Sequence, residues 1–263
     1  MRAYEASIKH FESWGGFLPA TNEQLSKYIA AFENKLAKNT LALRVGFIKR
    51  WNKSHGFDVP SVAPQKQNQN NVKKANPISI EEIEKVASYL SGCDEISHKR
   101  DKAFILLGFW RGFRSDELVR IAANNVLITD EGITITLPHS KESANKISFF
   151  LPRLKSLCAV SAVEEWLAVS GLQQGPLFRS INRWGQISDY GLHINSVIPL
   201  LRSAFQCAGI DAERYSSHSL RRGFATWASQ SGWDIHSIMD YVGWKTADVA
   251  AGYIQKTQQY PRF

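Results

Sequence analysis

Cysteine is scarce in this chain. Cys93, Cys158 and Cys207 are far apart and form no CxxC pair. That excludes a disulfide-stapled scaffold and favours a reducing, cytoplasmic setting. Long apolar runs are missing as well. The longest, AFILLGFW at 103–110, is far short of the ~20 residues a membrane-spanning helix needs. The N-terminal stretch MRAYEASIKHFESW lacks the apolar core of a secretion signal, and no lipidation signal or basic amphipathic anchor stands out, so no membrane partner is expected. Histidines such as His139, His193, His218 and His236 are scattered without HxxxH spacing, so no metal site is expected, and GxSxG, the mark of a serine hydrolase, is missing. Acidic residues are outnumbered: 24 Asp+Glu stand against 32 Lys+Arg, a formal charge of +8. That excess suits a polyanion, nucleic acid before membrane.

What is present is an ordinary globular composition, 44% hydrophobic and 21% charged, over 263 residues, enough for one large or two modest domains. The stretch APQKQNQNNVKKANP is polar and without apolar periodicity, and reads as a linker. The expected division is a helical domain at 1–64, a linker at 65–76, a second domain at 77–257 and a short tail at 258–263. In the first domain Leu41, Val45, Ile48 and Trp51 recur at helical spacing, with Lys49, Arg50 and Lys53 opposite and Gly56 as a stop. Those cations read either as a solvated face or as a phosphate-contacting one. In the second domain Ser79 and Glu82 have capping-box spacing ahead of Ile83, Val86 and Leu90. RDKAFILLGFWRGFRSDELVRI reads as a buried helix, a tight Arg-Gly break and another helix. NVLIT, GITITLP and ISFFL form the only strand-like region, and everything from SAVEEWLAV onward reads as helical. The fold class is therefore mainly α, with a small antiparallel β-sheet in the second domain.

Several polar groups stand at places suited to chemistry. Arg114 follows a Gly-Phe turn at a helix start, and Lys141 lies between two strands. His218 and Arg221, spaced i,i+3 after a Ser-rich cap, share a helical face. Arginines offer paired donors to phosphate oxygens, and preorganised positive charge stabilises a transition state that gathers negative charge on phosphorus. Each residue also has a plain reading: Arg114 with Glu117 as an i,i+3 ion pair, Lys141 as a solvated turn lysine, His218 as a capping histidine.

Taken together, GFRSDELVRI at 112–121, SKES at 140–143, HSLRRGFAT at 218–226 and VGWKTADVAAGYI at 242–254 resemble the tyrosine recombinase (phage integrase) family, in its simple, Cre-like two-domain form. The likeness runs from about Pro77 to Gln255. It extends to the N-terminal part, which is similar to the family's helical core-binding DNA-binding domain. The spacing of 32 residues from Arg221 to Tyr253 is the most specific element.

The resemblance implies a fold like that of the recombinases and type IB topoisomerases, and an assignment of roles. Arg114 and Arg221 clamp the scissile phosphate and His218 supports it. Lys141, with Lys146 as competitor, protonates the departing 5′ oxygen. Tyr253 attacks phosphorus to leave a 3′-phosphotyrosyl bond, and Glu117 holds the Arg114 region. Trp244 stands where many members carry a second histidine; its indole N–H donates a hydrogen bond but cannot shuttle a proton. It reads equally as a packed ring. The resemblance further implies double-stranded DNA as substrate, a homotetramer on paired sites, and no cofactor, metal or ATP. The absence of an arm-binding domain points to a simple recombinase. Ten residues after Tyr253 leave little length for a tail exchanged between protomers. Two other readings stay open: a DNA-binding architectural protein of the same fold that no longer cuts, and a topoisomerase-like relaxing enzyme.

Overall fold

The computed structural model describes residues 2–64, 76–138 and 146–244. The chain divides into two compact units, residues 1–73 and 74–263.

The first unit holds α1 (Arg2–Ser13), α2 (Asn22–Phe32) and α3 (Lys38–Ser54). A capping box of Thr21 and Gln24 starts α2, satisfying backbone N–H groups that have no partner within a helix. Phe11, Leu25, Tyr28, Leu41, Val45 and Ile48 form its core. The α3 stripe is therefore as expected through Ile48. Trp51, one turn on, is only half-buried and stacks on the His55 ring 3.9 Å away. The buried place beside it goes to Asn52. Its side chain accepts from Ala20 N–H at 3.0 Å and donates to the carbonyls of Ala20 and Asp58. Of the basic residues, Lys49 is half-buried while Arg50 and Lys53 are exposed.

In the second unit α4 (Ile80–Ser91) starts at the expected capping box. Ser79 Oγ accepts from Glu82 N–H at 3.2 Å and Glu82 returns the bond to Ser79 N–H at 2.8 Å. α5 (Ile96–Arg111) runs through the core and is buried on all sides from Ala103 to Phe109, which is why that stretch carries no polar face. It ends at Gly112, whose φ of 62° lies in the left-handed region that favours glycine. The turn leads into α6 (Ser115–Val119).

The strands β1 (Val126–Ile128), β2 (Gly132–Pro138) and β3 (Lys146–Pro152) form an antiparallel sheet in that order. Ile133, Ile135, Leu137 and Leu151 are buried, while Leu127 and Phe150 are exposed. The chain continues through α7 (Ala159–Ser170), packed on α5, then β4 (Arg179–Ile181), β5 (Ile187–Gly191), α8 (Val197–Cys207), α9 (Ser219–Gln230) and α10 (Ile235–Val242).

The β4–β5 hairpin corrects the expectation that only helices follow residue 160. Its strands are short and neither has a buried residue, so FRSINRWGQISDYG carries no period-2 apolar signal. Asn182 builds the turn, its side chain accepting from the backbone N–H of Trp184 and Gln186. No helix among the described residues is long and apolar enough to cross a membrane.

Candidate active site

Three pieces of chain distant in sequence meet around an open cavity of about 540 Å³ in the second unit. They are the α5–α6 turn, the start of α9 and the segment following α10. The sheet contributes Leu137, Ile147 and Phe149.

Arg221 is the most deeply set charged group there, only 2% exposed. Its Nη1 donates to the Gly112 carbonyl at 2.6 Å, across 109 residues of sequence. The left-handed turn at Gly112 therefore does two things: it ends α5 and supplies the acceptor that orients the guanidinium. The Trp244 ring, 6% exposed, lies 5.3 Å from Arg221 Cζ, within the range of a cation–π contact. Trp244 is thus packed, joining Phe224, Ala228, Ile238 and Val242, and it also lines the cavity beside the arginine.

Arg114 sits at the N-terminus of α6 with its side chain half exposed. One Glu117 oxygen accepts from its backbone N–H at 2.7 Å and the other from its Nη1 at 2.8 Å. The pair is the i,i+3 ion pair that the spacing offers, and both Glu117 oxygens are engaged by Arg114. Ser115 Oγ reaches the Ser217 carbonyl at 3.5 Å, joining the starts of α6 and α9.

His218 precedes α9, and its backbone N–H donates to Ser216 Oγ. Desolvation pushes its pKa down, and the charges of Arg221, Arg114 and Arg222 push the same way. The three arginines are near because Arg221 and Arg222 stand in the first turn of α9 and the Ser115–Ser217 contact brings the start of α6 beside it. The folded chain then holds His218 neutral where the unfolded chain, near 6.5, binds a proton. Stability should therefore fall as pH drops below about 6.5, because the unfolded state takes up the extra proton. His218→Gln is expected to flatten that acid-side slope in a series of thermal melts; an unchanged slope would refute the assignment.

The cavity lining holds four arginines (Arg111, Arg114, Arg120 and Arg221) against Glu117 and Asp240. Arg120 is spent on Asp116, 2.7 Å away. Arg111 and Arg222 are site cations that sequence reasoning missed. Arg222, 8% exposed, acts on His218 through its charge. Arg111 closes the apolar half of α5, where a basic residue is expected anyway to complement the helix dipole, and nothing in the sequence marks it as buried. Lys146 is exposed at the start of β3. Lys141 and Tyr253 lie outside the described residues. Two other tyrosines are committed elsewhere. Tyr241 O–H donates to the Trp110 carbonyl at 2.9 Å, and Tyr215 O–H to Glu82 at 2.6 Å.

A mostly helical domain that gathers arginines at one cavity beside a three-stranded sheet, with a histidine one turn ahead of Arg221, has the architecture of the DNA strand transferases. Residues 72–260 match the phage integrase family, and the chain belongs to it. It is a site-specific recombinase, an enzyme of the tyrosine type that cuts and rejoins DNA. An integrase/recombinase xerD homolog of Selenomonas ruminantium is 29% identical over 97% of this chain and 81% of that protein. Among solved structures, XerH recombinase bound to palindromic difH substrate has a TM-score of 0.65 at 14% identity, covering 91% of this chain and 67% of that one. A lambda integrase dimer bound to a COC′ core site has 0.63 at 12% identity, covering 99% and 73%. These likenesses support the fold.

Proposed function

We propose that this recombinase cuts duplex DNA by attack of the Tyr253 hydroxyl on phosphorus. The bond from phosphorus to the 5′ oxygen breaks, and a 3′-phosphotyrosyl link forms. A phenol with a pKa near 10 is a weak nucleophile at neutral pH, so its anion and the charge developing on phosphorus need fixed cations. Arg114 and Arg221 supply them. His218 serves the phosphate as a hydrogen-bond donor or as the proton-transfer partner that takes the Tyr253 hydroxyl proton, with Trp244 beside it. Lys141 gives the departing 5′ oxygen its proton, with Lys146 as competitor. Rejoining reverses these steps: a 5′ hydroxyl attacks the phosphotyrosine and phenolate leaves, so the bond energy is kept and no ATP is needed.

In the N-terminal unit Lys49, Arg50 and Lys53 of α3 contact the DNA backbone, and their electrostatic share of binding is salt-dependent. Two sites are exchanged within a homotetramer. The observation that most supports this reading is Arg221, held by the Gly112 carbonyl in a cavity it shares with Arg114.

The test uses a nicked suicide duplex carrying inverted repeats from beside the coding region. A covalent, SDS-resistant adduct is expected, with mass spectrometry placing the modification on Tyr253. A 5′-thio leaving group should restore cleavage to Lys141→Ala but add nothing to Lys146→Ala. No adduct on a duplex the protein demonstrably binds would leave a DNA-binding protein that no longer cuts. Relaxation of supercoils without strand exchange would mark a topoisomerase.

A further inference from the structure

Arg111 is 9% exposed at the last turn of α5 and lines the same cavity as Arg114 and Arg221. Its side chain forms no hydrogen bond and no ion pair among the described residues. Its neighbours are aromatic: Cζ lies 4.5 Å from the Phe149 ring centroid on β3 and 4.3 Å from that of Tyr241 on α10. Rings attract a guanidinium by its face but accept none of its five in-plane N–H donors. Burial lowers its pKa, with the Tyr241 hydroxyl and Glu117 opposing, yet an arginine stays protonated in the working range. The result is a largely buried cation whose donors meet no protein acceptor among the described residues. A methionine would fill the same space without the desolvation penalty, so packing alone does not account for an arginine here.

We propose that Arg111 is an additional phosphate-contacting residue of this recombinase, its guanidinium held by Phe149 and Tyr241 and presented to a DNA phosphodiester in the cavity. The inference rests on the proposed reading of the site and extends it by one residue that the family likeness did not point to. An anion arriving between the guanidinium donors completes an interaction that the free protein leaves open. Bound phosphate and the two rings then hold one plane from different directions.

The test measures binding to a random-sequence duplex as a function of salt, so it needs no knowledge of the target site. Each phosphate contact contributes about 0.9 to the slope of log K against log salt. Arg111→Met is expected to reduce that slope by about 0.9 and to leave the melting temperature unchanged or raised. Arg111→Lys, which keeps the charge, is expected to retain the slope. If Arg111→Met keeps the wild-type slope while Arg114→Met reduces it by about 0.9, the inference is overturned and the proposed function stands. Should Arg111→Met prove insoluble, Arg111→Gln takes its place: a slope reduced by about 0.9 supports the inference and an unchanged slope overturns it. A wild-type protein that binds no duplex overturns the proposed function together with this inference.

Discussion

Arg221→Ala is expected to lose cleavage by about a hundredfold to a thousandfold, the range found when one donor to a developing oxyanion is removed. Duplex binding should stay within a few-fold, because the clamp acts mainly on charge that appears in the transition state. Arg114→Ala should lose cleavage to a similar degree. Stability separates the two. Arg221 is buried and donates to the Gly112 carbonyl. Its removal leaves that acceptor unsatisfied, costing about 1–3 kcal/mol. At roughly 2–4 °C per kcal/mol for a unit of this size, the loss is readable in a melting curve. Arg114 is half exposed, and its pair with Glu117 falls in the class worth about 0–1 kcal/mol, so its loss should barely move the curve. Arg221→Lys should not restore activity, since a point charge on a flexible stem cannot serve a backbone carbonyl and two phosphate oxygens together. Single-turnover cleavage and thermal unfolding of the same preparations check both halves. Cleavage by Arg221→Ala within threefold of wild type would remove this residue from the clamp.

Gly223→Ala is the second substitution with a large expected effect, and it touches nothing in the cavity. Gly223 lies where α9 presses on the segment before α4. A Cβ there would run into the Ile78 carbonyl oxygen and come within 3.0 Å of the Phe109 ring. The carbonyl is backbone and cannot swing aside. The Ile78 N–H also donates to the Ser219 carbonyl at 3.3 Å, so the two segments are tied at the point of closest approach. Overpacking of this kind costs about 1–3 kcal/mol, sometimes more. Relief requires α9 and the Ile78 segment to separate, and α9 begins directly after His218 and carries Arg221. A displacement near 1 Å at such groups is enough to cost about a hundredfold in rate. The expected result is a lower melting temperature together with slower cleavage, every catalytic side chain being intact. A variant that melts and cuts as wild type does would show that α9 is not fixed by this contact.

Much of the fold was legible because it is written in local signals. The Ser79–Glu82 capping box, the apolar run of α5, the turn at Gly112 and the three strands after residue 125 each follow from spacing within a few residues. The β4–β5 hairpin was not, since a two-stranded ribbon with no buried side chain leaves no periodicity to read. The site divides in the same way. Arg114, His218 and Arg221 were singled out because His218 and Arg221 are spaced i,i+3, Arg114 follows a glycine turn, and all three stand in motifs like the family's. Arg111 was passed over because its meaning depends on Phe149 and Tyr241, which reach it from a strand and a helix far along the chain.

The sequence by itself determined the helical character of both units, the small sheet, the excess of positive charge and the identity of the chief candidate residues. These depend on local propensity, periodicity and residue chemistry. Only the tertiary structure decided that Arg221 is locked to the carbonyl of Gly112, that Trp244 packs against that arginine, and that Arg111 is a buried cation facing the same cavity. Each of those is a relation between groups 23 to 130 residues apart. No local rule fixes such relations, because they arise when separate elements bury their apolar faces together and bring polar groups along.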